Sequence, residues 1–175
     1  FIEQSLQSYI DGKEILQQQR QKIGGSSPSA KRIVHSVLSA FIQSPITLIL
    51  ILACLVVAAI TSLGNEVTRL DFLFYPLIDS SSLGALIADI NSPGEAIATL
   101  TPMLLHFGEL HLVFNMLWLW YFGKQLESLQ PISMFIALVI ITAFVSNTTQ
   151  YLAIDYNNFG GMSGVVYGLV GYTWV

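Results

Sequence analysis

A serine in the setting Phe159-Gly-Gly-Met-Ser163-Gly164-Val-Val-Tyr167-Gly168 stands at the head of a segment that carries no charge through Val175. A hydroxyl so placed has two uses. It bonds back to the preceding turn of its own helix, or, given a base, it acts as a nucleophile. A second stretch upstream, His106-Phe-Gly-Glu-Leu-His111-Leu-Val-Phe-Asn115, supplies groups that the second use needs. His111 and Asn115 are four residues apart, so on a helix both side chains leave one face. Acyl transfer requires N–H donors aimed at the oxyanion that develops. The imidazole of His111, the amide of Asn115 and the backbone N–H of Ser163 are three such donors. His111 is alternatively the base, although one imidazole does not easily fill both roles. The local pattern departs from the nucleophile elbow of soluble α/β-hydrolases, which has Gly two residues to either side of the serine. Gly161 fits, but Val165 occupies the other position and Gly164 follows the serine directly.

These groups need elements to hold them, and composition limits what those elements are. The chain is 53% hydrophobic and 10% charged, with a mean hydropathy of +0.63. A soluble domain carries about 25% charged residues. So few charges cannot cover a globule in water, which predicts an all-α, polytopic membrane helix bundle. No basic stripe points to nucleic acid. Cys54 is the single cysteine, and the Cys and His spacings fit no zinc pattern, so neither a metal nor a cofactor is expected.

Residues 46–63 are apolar apart from Thr47, Thr61 and Ser62, long enough for a first span, with Pro45 suited to its first turn. Residues 65–105 hold Glu66, Arg69, Asp71, Asp89 and Glu95, too many charges for a span. They also hold Phe72, Phe74, Tyr75, Leu83, Leu86 and Ile87, which predicts a loop in the membrane interface. A shorter second segment, 111–126, contains Lys124 and brings Asn115, Trp118 and Phe122 near one face. Residues 131–154 form an uncharged third span, and a fourth begins near Phe159. Upstream, residues 1–23 are polar and helix-favouring, with Ile2, Leu6 and Ile10 on one face, and residues 24–29 have the composition of a linker. The expected division is the end of a small cytosolic domain with its linker over 1–30 and a membrane core over 31–175. A start at Phe1 and an end at Val175 within an apolar segment are what a piece of a longer chain would show.

Five of the seven Lys and Arg precede residue 46, which places the N-terminus in the cytoplasm. Alternation then puts loop 65–110 outside and brings His111, Asn115 and Ser163 to similar depth below the outer face. An ionisable residue at membrane depth is a functional hypothesis by default. Gly161, Gly164, Gly168 and Gly171 recur at three- and four-residue spacing. Small residues so spaced let helices approach closely, and they are expected to bring Ser163 against the His111 helix. Tyr167, four residues after Ser163, shares its face. The competing readings are a packing role for Ser163, a helix-linking role for His111 and Asn115, or polar residues lining a transporter or channel.

Gly161-Met-Ser163-Gly164 with Tyr167, preceded by His111-Leu-Val-Phe-Asn115, resembles the rhomboid family of intramembrane serine proteases, bacterial GlpG type. Leu100-Thr-Pro-Met103, His106-Phe107 and the run 118–123 followed by Glu127 match as well, so the resemblance covers roughly 31–175. It implies a multi-pass protein of the bacterial inner (plasma) membrane, in contact with lipid, that cleaves transmembrane-segment substrates near the outer face. It implies Ser163 as nucleophile and His111, Asn115 and the Ser163 amide as oxyanion donors. Tyr167 would stack beside the catalytic histidine and Glu127 would brace helices by hydrogen bonds, with Gly161, Gly164 and His106 in support. His106 is read as bonding loop backbone. Two departures follow. The family's general base is a His on the sixth helix, the chain ends in the fourth, and none of His35, His106 and His111 matches it; the chain alone is expected to be inactive. The family also often has Trp-Arg a few residues before Thr-Pro, where Ile97-Ala98 stand here, which leaves open how the outer loop is anchored. The alternative on the same fold is an inactive rhomboid-like membrane protein that binds transmembrane clients.

Overall fold

Every regular element among the described residues is a helix. The computed structural model describes residues 43–79 and 81–174, together with Lys13, Glu14, Ile15, Gln17 and Ser39. The chain divides into two units, Phe1–Ser39 and Ala40–Val175. In the first, the five described residues are helical. Ile2, Leu6, Ile10, the 24–29 segment, Lys31, Arg32 and His35 lie outside the described residues.

The second unit contains α1 (Pro45–Ile60), α2 (Leu83–Asp89), α3 (Pro93–Ala98), α4 (Glu109–Trp118), α5 (Lys124–Leu129), α6 (Ile132–Ile154) and α7 (Ser163–Trp174). Two 3-10 segments, Val67–Leu73 and Thr101–Leu104, lie in the loop between α1 and α4. A single π turn, Leu119–Gly123, joins α4 to α5 without a break. The segment expected over 111–126 is therefore a longer helical run, from Glu109 to Leu129, with one extra residue wound into its middle. Gly123, at the end of that turn, backs onto Thr47, and a Cβ there would sit 2.9 Å from the Thr47 hydroxyl.

Among the described residues, α6 is the one helix long and apolar enough to cross a membrane by itself; α1 is apolar and shorter. Neither has a polar face. In α6, Phe135, Val139 and Ala143 are buried while Ile140, Ile141 and Val145 are exposed. In α1, Cys54, Val57 and Ala58 point inward and Ile49, Leu52 and Val56 outward. Apolar side chains on both sides of a helix suit a bilayer outside and a packed core inside. The architecture is an all-α membrane helix bundle. Its core joins Cys54 and Ala58 of α1, Leu112 of α4, Leu119 of the π turn, Phe135 and Val139 of α6, and Val165 and Leu169 of α7.

The start of α1 shows how a distant residue finishes a helix. The first N–H groups of a helix lack intrahelical acceptors, and Ser44 makes no side-chain cap. Glu127 on α5 supplies it instead. Its Oε1 accepts from Ile46 N at 2.8 Å, and its Oε2 accepts from Thr47 N at 2.8 Å and Thr47 Oγ1 at 2.7 Å. The side chain is buried, so removing it would strand these donors away from water. Glu127→Ala is expected to lower stability by roughly 2–4 kcal/mol, read as a fall in Tm in detergent, with Glu127→Gln losing less. Equal Tm values for wild type and Glu127→Ala would show that the contact has no energetic weight.

The segment between α1 and α4 is folded, as its mixed composition requires. Ser82 caps α2, and Ser92 with Glu95 forms a reciprocal capping box on α3. Leu73, Tyr75, Leu86 and Leu105 are buried, while Phe72, Leu77, Leu83 and Ile97 point outward. The C-terminal half of α6 grips the loop. Tyr75 Oη and Thr148 Oγ1 are 2.9 Å apart. Tyr151 Oη donates to Ile78 O at 2.9 Å and accepts from Ile78 N at 3.2 Å. The Tyr75 and Tyr151 rings stack at 4.6 Å.

Candidate active site

Ser163 is the first residue of α7, and the turn before it is built from glycine for a steric reason. Gly161 has φ +135°, a conformation L side chains rarely adopt. A Cβ on it would lie 2.6 Å from His111 Nε2, 2.7 Å from His111 Cε1 and 3.7 Å from Ser163 Oγ. The imidazole of His111 and the hydroxyl of Ser163 thus border a position where no side chain fits. Gly160 is equally confined, since its Cβ would meet Leu105 Cβ and Pro102 O at 2.6 Å. Gly161 N donates to Pro102 O at 3.0 Å, which ties this turn to the second 3-10 segment of the loop between α1 and α4.

His106 completes that tie. It is fully buried. Its Nδ1 lies 3.1 Å from Leu104 O, and its Nε2 accepts from Met162 N at 3.4 Å. One nitrogen donates and the other accepts, which requires the neutral ring. Burial pushes its pKa down to about 4, against the opposing effect of the Leu104 carbonyl and with a smaller push from His111. With both nitrogens engaged, His106 holds backbone and has no free atom for proton transfer. Its ring stands 5.2 Å from that of His111, tilted by 49°.

His111 and Asn115 sit one turn apart on α4, and both line the same open cleft of about 610 Å³ as Ser163 and Tyr167. Asn115 is buried, and its Nδ2 donates one hydrogen to His111 O at 2.8 Å. An amide nitrogen has two hydrogens, so one remains to donate elsewhere. The cleft is polar at the Ser163, His111 and Asn115 end and apolar beyond, where Phe114, Trp118, Phe122, Val166 and Val170 line it. Trp118 and Phe122 stack at 5.8 Å. Tyr167 is mostly exposed, at 76%. At the head of α7 the free N–H groups and the positive end of the helix dipole meet the cleft's polar end.

The glycine repeat works differently from the expectation. Gly164 and Gly168 face α6, where Cβ atoms would run into Ser146 and Thr142. Gly171 has nothing within 4 Å of its would-be Cβ. These glycines bring α7 against α6. The turn before α7, at Gly161, is what reaches the His111 ring. Glycine spacing shows that a helix is approached closely, but not by which neighbour. Glu127 lies apart from this group, at the α1–α5 contact described above. Spacing also does not single out Asn147 on α6, which reaches the loop between α1 and α4 at Thr99 and Leu100. An amide within an uncharged span is the signal that marks it. Among the described residues, no group of three or more His, Cys, Asp and Glu is arranged to hold a metal ion.

Comparison with known proteins adds two findings. Residues 93–175 match the Rhomboid domain family model. The chain is 31% identical over 131 residues to the rhomboid protease GlpG of Yersinia pestis (strain Pestoides F), covering 75% of this chain and 43% of that protein. It is 34% identical over 131 residues to the rhomboid protease GlpG of Salmonella paratyphi A (strain ATCC 9150 / SARB42), with the same coverages of 75% and 43%. The chain therefore spans less than half the length of the curated relatives it matches.

Proposed function

We propose, from the premise that residues 93–175 are a rhomboid domain and the chain is a rhomboid of the GlpG type, that Ser163 is the nucleophile of an intramembrane serine endopeptidase. The observation that carries this reading is that the His111 ring and the Ser163 hydroxyl both border the space beside Gly161, and that both line, with Asn115, a cleft whose other lining residues are mostly apolar. Attack of Ser163 Oγ on a peptide carbonyl forms the ester bond of an acyl-enzyme and breaks the C–N bond, the released amine taking up the proton that the hydroxyl gives up; water then hydrolyses the ester and restores Ser163. Negative charge develops on the carbonyl oxygen, and the free Asn115 N–H, the His111 imidazole and the Ser163 backbone N–H are its donors. The apolar wall suits a substrate whose side chains come from a transmembrane segment. The bond is cut near the outer face: the positive charge before α1 favours a cytoplasmic N-terminus, and alternation of the spans then carries Ser163 and His111 toward the opposite side.

The nucleophile needs a proton acceptor. His106 is excluded by its two hydrogen bonds, and the acceptor implied by the resemblance, a His on a sixth helix, has no counterpart within residues 1–175. Cleavage is therefore assayed with the protein expressed from its complete gene, reconstituted in liposomes with a single-span protein substrate. Mass spectrometry of the products is expected to place the cut within the outer part of the span or just outside it. A cut confined to the cytoplasmic side would overturn the topology. A protein that binds the substrate and leaves it intact would favour the inactive, client-binding alternative.

A further inference from the structure

Asn147 lies in the C-terminal part of α6, within the uncharged polar run Ser146-Asn147-Thr148-Thr149-Gln150 of a largely apolar helix, and it is 5% exposed. Its Nδ2 donates to Thr99 O at 2.9 Å and Leu100 O at 3.3 Å. Two carbonyls on one terminus identify that terminus as the nitrogen, since an oxygen there would face two acceptors. Thr99 ends α3 and Leu100 begins the Thr101–Leu104 turn, so the contact pins the junction of two short helices. From that junction the chain leads directly to the nucleophile. Pro102 O accepts from Gly161 N, His106 Nε2 accepts from Met162 N, and Ser163 follows.

The same stretch of α6 also touches α7 directly, because Ser146 packs on Gly164 next to Ser163. The nucleophile's turn is therefore set from two directions by adjacent residues of one helix. Ser146 fixes α7 itself, and Asn147 fixes the loop that carries the acceptors for Gly161 and Met162. The other ties between α6 and the loop, Tyr75 with Thr148 and Tyr151 with Ile78, hold segments farther from the site in sequence.

We propose that Asn147 is a positioning residue for Ser163, acting through the Thr99 and Leu100 carbonyls and the Pro102 and His106 acceptors to hold the Gly161–Met162 backbone in register with the cleft. This rests on the reading of Ser163 as nucleophile, and part of its test does not. Asn147→Leu keeps the side-chain volume and removes the donor; Asn147→Gln keeps a donor on a longer arm. Hydrogen exchange is read at the amides of Gly161 and Met162, and kcat, KM and Tm are measured on the same preparations.

In Asn147→Leu, exchange at these amides is expected to rise by about 10-fold. Misplacement of a reacting group costs rate rather than binding, so kcat is expected to fall by about 10-fold to 100-fold with KM nearly unchanged. Asn147→Gln should recover most of both. Should Asn147→Leu not yield folded protein, Asn147→Ser, whose hydroxyl is too short to reach both carbonyls, takes its place in the comparison. Faster exchange in a protein without Ser163-dependent cleavage would support the positioning link and overturn the protease reading alone. A lower Tm with wild-type exchange at Gly161 and Met162 and wild-type kcat would overturn the proposal, leaving Asn147 a helix-packing residue.

Discussion

Ser163→Ala is expected to bring cleavage of a reconstituted transmembrane substrate down to background, a loss of about 10³-fold or more, in any preparation whose wild type cleaves it. The hydroxyl is the only group at this position able to form the acyl-enzyme, and the neighbouring donors cannot replace it. Stability should barely change. Ser163 is the first residue of α7, partly exposed to the cleft, and its side chain makes none of the loop contacts that fix the turn; these run through the backbone of Gly161 and Met162. Surface substitutions of this kind stay within about 0.5 kcal/mol. An unfolded Ser163→Ala variant would point to the packing role instead. Cleavage undiminished in a folded variant would remove the nucleophile assignment.

Asn115→Ala is expected to lower kcat by about 10-fold to 10³-fold, the range for one lost oxyanion donor, with His111→Ala at least as severe. Donors that act mainly in the transition state leave substrate affinity nearly unchanged. The structure makes the competing explanation concrete. Asn115 already gives one hydrogen to the His111 carbonyl, one turn back on its own helix. If that bond is its whole contribution, Asn115→Ala lowers Tm and spares kcat in the folded fraction. His111 has a different exposure to the same question. Its ring fills the space beside Gly161, so His111→Ala opens a gap at the turn as well as removing a donor. His111→Phe, which fills the gap without an N–H, separates the two: it should be as slow as His111→Ala and more stable.

What could be read from the sequence follows physical lines. The placement of the candidate groups was legible because it is local: His111 and Asn115 share a helical face at four-residue spacing, and Ser163 lies in a glycine turn at a helix start. The apolar runs marked α1, α6 and α7, since span length is set by the bilayer; α6 matches the expected 131–154 closely, whereas α1 ends at Ile60 rather than at residue 63 and α7 begins at Ser163 rather than near Phe159. The π turn at Leu119–Gly123 was not legible. One extra residue in a single turn leaves the average hydropathy of the run unchanged, so it is seen only in the folded backbone. The partners of the glycines were hidden for a related reason. Gly164 and Gly168 mark a close approach, but Ser146 and Thr142 on α6 are identified only once the helices are in place. The anchoring of the outer loop was open because Ile97-Ala98 offer no polar group. The anchors proved to be Tyr75, Tyr151 and Asn147, whose bonds to Thr148, Ile78 and Thr99 join residues distant in sequence. The Ser92-Pro-Gly-Glu95 capping box is a local signature that the reading of residues 65–105 as an interface loop passed over.

The central claim is that Ser163 is a nucleophile and not a helix-packing hydroxyl. It is tested most directly by treating the reconstituted protein, expressed from its complete gene, with a fluorophosphonate and locating the adduct by peptide mass spectrometry. The account predicts one phosphonyl group on Ser163, lost in Ser163→Ala and formed more slowly in Asn115→Ala. A protein that cleaves its substrate while Ser163 stays unmodified, or an adduct on Ser146 or any other hydroxyl in its stead, would contradict it.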